Sequence, residues 1–139
     1  MLTRIDHIGI VSHTLEEATQ VLLDKLGFHL DAGRNVGEHA AENGRTKITF
    51  VKVGVGETRV EILLPEDATT GIGKFLDKRG PGMHHICYAS DNITADAERL
   101  QGEGLKLIPG RPPHEVGGCF FYPASMNGIL TELLAEGRL

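Results

Sequence analysis

No apolar run in this 139-residue chain approaches the ~20 residues that a membrane-spanning helix needs. The start, Met1-Leu2-Thr3-Arg4-Ile5-Asp6, enters a strand pattern at once, so no signal peptide is expected. Cysteine is scarce: Cys87 and Cys119 are the only two. That is too few for a disulfide framework, and both read as reduced thiols of a cytoplasmic protein. Basic excess is absent as well, since 14 Lys and Arg face 19 Asp and Glu for a net charge of −5. This balance argues against nucleic acid or an anionic membrane as partner. A polyanionic ligand would need a local basic patch. What is present, 40% hydrophobic and 24% charged residues, suits a soluble globular chain. The length suits a single domain over residues 1–139, large enough to bury roughly 68–70% of its surface.

Two short phrases each occur twice. His7 opens His-Ile-Gly-Ile, and His85, 78 positions on, opens His-Ile-Cys-Tyr. Each is followed by a helix-like stretch and later by an apolar run holding one glutamate. These runs are Val60-Glu61-Ile62-Leu63-Leu64 and Leu130-Thr131-Glu132-Leu133-Leu134. His7 to Leu15 aligns with His85 to Ile93 without a gap. A period of roughly 70–80 residues is too long for a solenoid. It suits two packed copies of a small module, about residues 1–67 and 82–139, with a linker over about 68–81. Two histidines and two carboxylates in matched places look like one divalent metal site built by duplication.

The pattern between these phrases gives the elements. Ile5–Val11 alternates and is β-branched, which predicts a strand. Ser12-His13-Thr14 before Leu15-Glu16-Glu17 predicts a helix start, and Gly27 a helix end. Phe28–Leu30 predicts a second strand. Residues 31–45 are polar and Gly-rich, a loop or a weak edge strand. Lys47–Val53 and Thr58–Leu64 predict a hairpin around Gly54-Val55-Gly56-Glu57. Ile72, Phe75 and Leu76 suggest a short helix in the linker. The second module repeats the order, with strands at His84–Ser90, Leu105–Ile108, Cys119–Tyr122 and Gly128–Leu134 and a helix from Asn92 to about Gln101. The fold class is α+β, as βαβββ twice.

Alternation puts successive strand side chains on opposite faces. Ile5, His7, Gly9 and Val11 share one face; Met83, His85, Cys87 and Ala89 share the equivalent one. Glu61 stands with Leu63, and Leu130 and Leu134 flank Glu132. A carboxylate buried among such residues costs several kcal/mol unless paired or coordinated. Cys87 shares the face of His85 and reads first as a small core residue.

Asp6-His7-Ile8-Gly9-Ile10, Arg59-Val60-Glu61-Ile62-Leu63, His84-His85-Ile86-Cys87-Tyr88 and Gly128-Ile129-Leu130-Thr131-Glu132-Leu133, in this order, resemble the vicinal oxygen chelate (glyoxalase/bleomycin resistance/dioxygenase) superfamily. Gly73-Lys74-Phe75-Leu76-Asp77-Lys78-Arg79-Gly80-Pro81-Gly82-Met83-His84-His85-Ile86 is similar to the methylmalonyl-CoA epimerases within it. The resemblance implies a curved, half-open, eight-stranded barrel-like sheet around a divalent ion held by His7, Glu61, His85 and Glu132. His85 rather than His84 takes the ligand role, because His85 aligns with His7. The implied reaction is proton removal beside a thioester carbonyl, with one base on each face of a planar intermediate. Glu132 is the expected first base. Glu42 is the expected second, with Glu38 its competitor. The ion is one of Co²⁺, Ni²⁺, Mn²⁺, Fe²⁺ or Zn²⁺. The implied partners are a small-molecule acyl-CoA substrate and a second copy of the chain in a homodimer.

The sequence departs from the epimerases where the acyl-CoA is expected. The last hairpin reads Tyr122-Pro123-Ala124-Ser125-Met126-Asn127-Gly128, without the usual His and Lys. The Gly117-Gly118 loop also lacks its lysine, and the Glu42 loop is longer. Arg45, Lys47, Arg79 and Arg111 are the cations available for phosphates. Two other readings stay open at this point: a glyoxalase I-like lactoylglutathione lyase or other metal-dependent member of the superfamily, and a metal-free protein of the resistance type that sequesters a small ligand.

Overall fold

The computed structural model describes residues 1–137. They form an α+β fold with eight strands and four helices. The hydrogen-bonded strand order is β2-β4-β5-β1-β6-β8-β7, with β3 on β4. The chain divides into two compact units, one of residues 8–84 and one of residues 1–7 together with the chain from His85 onward. Strands β1 (Leu2–Val11) and β6 (Gly82–Ser90) each contribute residues to both.

In the unit of residues 8–84, the Thr14 hydroxyl accepts from Glu17 N and starts α1 (Leu15–Thr19). The helix loosens into a π-type turn over Gln20–Lys25 and ends at Gly27, whose φ of 77° is the left-handed value that glycine tolerates. β2 is only His29–Leu30. β4 (Thr46–Lys52) and β5 (Arg59–Pro65) form the expected hairpin, antiparallel with Phe50 opposite Glu61 and Ile48 opposite Leu63. The polar run after β2 contains the weak edge strand: β3 (His39–Ala41) pairs with Thr46–Ile48. Helix α2 (Gly71–Arg79) occupies the linker, with the Thr70 side chain accepting from Gly73 N.

Adjacent residues of β5 bury to opposite faces. Ile62 packs with Ala18 and Val51 beneath Leu22 and Leu23 of the π-type turn. Leu63 packs with Val11 and Leu76, where Ile72 and Phe75 of α2 cover it. Both are buried at 2% or less, and each contributes about 1.5–3 kcal/mol of apolar transfer. Glu61 lies on the Leu63 face.

In the other unit, Asn92 caps α3 (Ile93–Gly102) by accepting from Ala95 N. Its Ile93 and Ala97 pack on Phe121 and Leu133, with Tyr88 and Leu107 alongside. β8 (Thr131–Ala135) runs parallel to β6, and β7 (Gly118–Phe121) antiparallel to β8. Leu133 and Tyr88 are opposite each other on the α3 face. Glu132 is opposite Cys87 and Phe120 on the other face.

The expected strand at Leu105–Ile108 is not formed. The segment makes a single bridge, Leu107 to Phe121, supported by Ile108 N to Phe120 O at 2.8 Å. Pro109, Pro112 and Pro113 offer no N–H, so the ladder stops there. The chain makes a short helical turn instead, α4 (Pro113–Val116), closed by Gly117 at φ 76°. The eight strands are therefore shared five and three along the chain rather than four and four.

Candidate metal centre

Three of the residues singled out by the repeat meet in one place. His7 Nε2 lies 3.1 Å from His85 Nε2 and 3.1 Å from Glu132 Oε1, and His85 Nε2 lies 3.2 Å from the same oxygen. Each arrives on a strand. His7 comes from β1, His85 from β6 and Glu132 from β8, one element chosen by each apolar run of the sequence. The histidines are 2% and 4% exposed. Their rings meet edge to face with centroids 5.2 Å apart. Phe120 stands against the His85 ring, with centroids 5.6 Å apart.

The donor set fits a divalent ion. Three atoms with lone pairs converge, and only a proton or a cation relieves their mutual repulsion. Donors about 2.1 Å from an ion stand about 3.0 Å apart in neighbouring positions of a six-coordinate site and about 3.4 Å apart in a tetrahedral one. The observed edges of 3.1, 3.1 and 3.2 Å fall between these two values.

Burial pushes the Glu132 carboxyl up, but where protons rather than an ion fill the cluster, the hydrogen bonds and charges of the His7 and His85 rings outweigh it and hold it down at about 2. Glu132 is thus ionised at neutral pH and able to bind a cation. A Cβ at Gly118 would stand 4.0 Å from Glu132 Oε2, an ordinary contact. Cys119 is chemically quiet: burial, with the Glu132 charge nearby, pushes its thiol up to about 11. Cys87 is fully buried and its Sγ contacts Tyr88 O.

Sequence reasoning passed over Asp6. It is 2% exposed, its Oδ2 lies 2.7 Å from His7 Nδ1, and its Oδ1 accepts from Arg4 Nη1 at 3.2 Å. Strict alternation assigns adjacent residues to opposite faces, so the pattern that found His7 set its neighbour aside. The signal available was an acidic residue within an apolar, β-branched strand.

The remaining expected residues belong to the unit of residues 8–84. Glu61 is buried in β5, 7% exposed, on the Leu63 face. Glu42 follows β3 with a left-handed φ of 54°, and its Oε1 accepts from Ile72 N at 2.9 Å. Glu38 is exposed and lines a cleft with Asn35, His39 and Lys47. The His84 ring packs edge to face on Phe75 at 4.9 Å. Among the proposed phosphate contacts, Arg45 pairs with Asp67 and Arg111 with Glu115. No helix among the described residues is long and apolar enough to cross a membrane.

Comparison with known proteins gives a consistent answer. The family described as the glyoxalase/bleomycin resistance protein/dioxygenase superfamily matches residues 6–122. The mitochondrial methylmalonyl-CoA epimerase of Dictyostelium discoideum is 31% identical, over 94% of this chain and 76% of its own. An ethylmalonyl-CoA/methylmalonyl-CoA epimerase of Cereibacter sphaeroides is 29% identical over 96% of this chain and 98% of its own. A variant of the Streptomyces coelicolor methylmalonyl-CoA epimerase, solved in complex with 2-nitronate-propionyl-CoA, superposes with a TM-score of 0.80 at 26% identity over 99% of each chain. With a match that spans most of its length and a His-His-Glu cluster whose two histidines are buried, the chain belongs to the glyoxalase/bleomycin resistance protein/dioxygenase superfamily, with methylmalonyl-CoA epimerases among its relatives.

Proposed function

We propose that this protein is a metal-dependent epimerase of 2-substituted malonyl-CoA thioesters, with methylmalonyl-CoA the first substrate to test. The observation that carries the reading is the convergence of His7 Nε2, His85 Nε2 and Glu132 Oε1 within about 3 Å of one another. Epimerase relatives at 29–31% identity, and a structural relative bound to an acyl-CoA analogue, supply the substrate class.

In this reading His7, His85 and Glu132, with Glu61 as fourth ligand, hold one divalent ion. When bound, the ion supplies a Lewis acid that polarises the thioester carbonyl and lowers the acidity barrier at C2. Glu132 has two oxygens with different tasks. Oε1 faces the imidazoles, and Oε2, on the side of Gly118, takes the C2 proton. Phe120 packs against the His85 ring and limits its rotation. Inversion needs a proton delivered from the opposite face. Glu42 is the proposed donor, and it serves only when its carboxylate leaves the Ile72 amide. A homodimer belongs to the same reading, and light scattering on the purified chain tests it.

The decisive experiment is incubation of the metal-loaded protein with methylmalonyl-CoA in D₂O, following deuterium entry at C2 by NMR, with His85→Ala as control. Exchange in the wild type that is lost in the variant supports enzyme, substrate and metal dependence together. A folded, metal-loaded wild type that exchanges nothing overturns the reading.

A further inference from the structure

Around His7 the two ring nitrogens have different environments. Nε2 faces His85 and Glu132, while Nδ1 lies 2.7 Å from Asp6 Oδ2. Asp6 is itself anchored, since Arg4 Nη1 donates to Oδ1 at 3.2 Å. Arg4 is partly exposed, so the three residues run from the surface inward: a guanidinium, a buried carboxylate and a buried imidazole.

A carboxylate buried to 2% costs several kcal/mol unless its oxygens are satisfied. Here one oxygen has the Arg4 guanidinium and the other the His7 ring. An ionised carboxylate only accepts hydrogen bonds, so Nδ1 must carry the proton. The neutral ring then has its lone pair on Nε2, the atom aimed at His85 and Glu132. We infer that Asp6 is a positioning residue: held by Arg4, it fixes the tautomer and rotation of His7 so that Nε2 is presented as a metal donor. The inference rests on the proposed metal site and assigns a role in it to two residues outside the ligand set.

Asp6, His7 and Cys87 also place potential ligand atoms within 4.8 Å of one another, which raises a second arrangement with the ion on Nδ1. The geometry disfavours it. The 2.7 Å separation of Asp6 and His7 is a hydrogen-bond length, shorter than the roughly 3.0–3.4 Å between two donors of one ion. The edges at Nε2 have the length such a pair of donors needs.

The test uses the full chain, stripped of metal and titrated with Co²⁺ by its visible absorption. Asp6→Asn keeps the shape and removes the charge. It is expected to weaken Co²⁺ binding about 10–100-fold, and saturating Co²⁺ restores most of the lost turnover. A second measurement needs no variant: ¹⁵N-detected imidazole NMR of the Zn²⁺-loaded wild type should show His7 with its proton on Nδ1. Co²⁺ affinity in a folded Asp6→Asn within about twofold of wild type, well short of that loss, overturns the inference and leaves the metal site standing. A His7 proton on Nε2 overturns it even if the variant fails to fold. A wild type that binds no Co²⁺ overturns both the inference and the metal reading beneath it.

Discussion

The carboxylate of Glu42 accepts a hydrogen bond from the backbone amide of Ile72, at 2.9 Å. It thereby satisfies one of the free N–H groups at the start of α2, next to Thr70, which satisfies another. The expected second base is thus also a helix anchor, and the two roles separate by substitution. Glu42→Gln keeps an acceptor oxygen for Ile72, and should leave the thermal midpoint within a few degrees while lowering epimerisation about 10²-fold or more. Deuterium should still enter one epimer without inversion, because Glu132 remains. Glu42→Ala should lose about 1 kcal/mol of stability as well. Unchanged epimerisation in folded Glu42→Gln would leave Glu42 as an anchor alone.

An ion held as proposed by three converging donor atoms would bind the folded chain and not the unfolded one. At about a thousandfold excess over its dissociation constant, a divalent ion should add about 4 kcal/mol to the unfolding free energy. Differential scanning calorimetry with Mn²⁺ or Co²⁺ against EDTA measures this. Glu132→Gln removes the charge that faces both imidazoles and should abolish most of the shift.

Gly73 reverses the usual rule for helices. In an open helix interior, Gly→Ala stabilises by about 1 kcal/mol. Here a Cβ would sit 1.8 Å from Asp67 O and 2.8 Å from Asp67 C, both backbone atoms. The loop before α2 must move, so Gly73→Ala should destabilise by about 1–3 kcal/mol or more despite the gain in propensity. A lower thermal midpoint is the expected result, and a higher one would contradict the close approach.

Asp31 gives an acid-sensitive link. Its hydrogen bond with the Arg59 guanidinium holds its carboxyl below the usual value of 3.8, against the opposing effect of burial. Because the folded state binds the proton less readily, the contribution is fully present above the unfolded pKa of about 3.9. It is lost as pH falls through the lower folded value. Asp31→Asn should cost about 1.5–3 kcal/mol at pH 7, and the gap between the two proteins in urea unfolding should begin to narrow below about pH 4 and close as pH falls past the lower folded value.

Alternation was enough to identify β1, β4, β5 and β6, since β-branched and apolar residues recur there at a spacing of two. Duplication then pointed to His7, His85 and Glu132, because matched phrases occupy matched strands. Local pattern also placed α2, through Ile72, Phe75 and Leu76. The polar segment before β4 is different: His39–Ala41 is a strand because the edge of β4 offers it partners, a nonlocal fact. Leu105–Ile108 has a strand's composition but too little unbroken backbone to pair, with prolines directly after it. Pairing likewise decides which side chains become neighbours. The parallel register of β6 and β8 sets Glu132 opposite Cys87, and the antiparallel register of β7 and β8 sets it opposite Phe120. The sequence by itself determined which residues could be ligands, because residue type and strand period are local properties. Only the tertiary structure decided that Nε2 of each histidine meets Oε1 of Glu132 and that Asp6 holds the far side of His7, because side-chain rotation and strand register depend on everything packed around them.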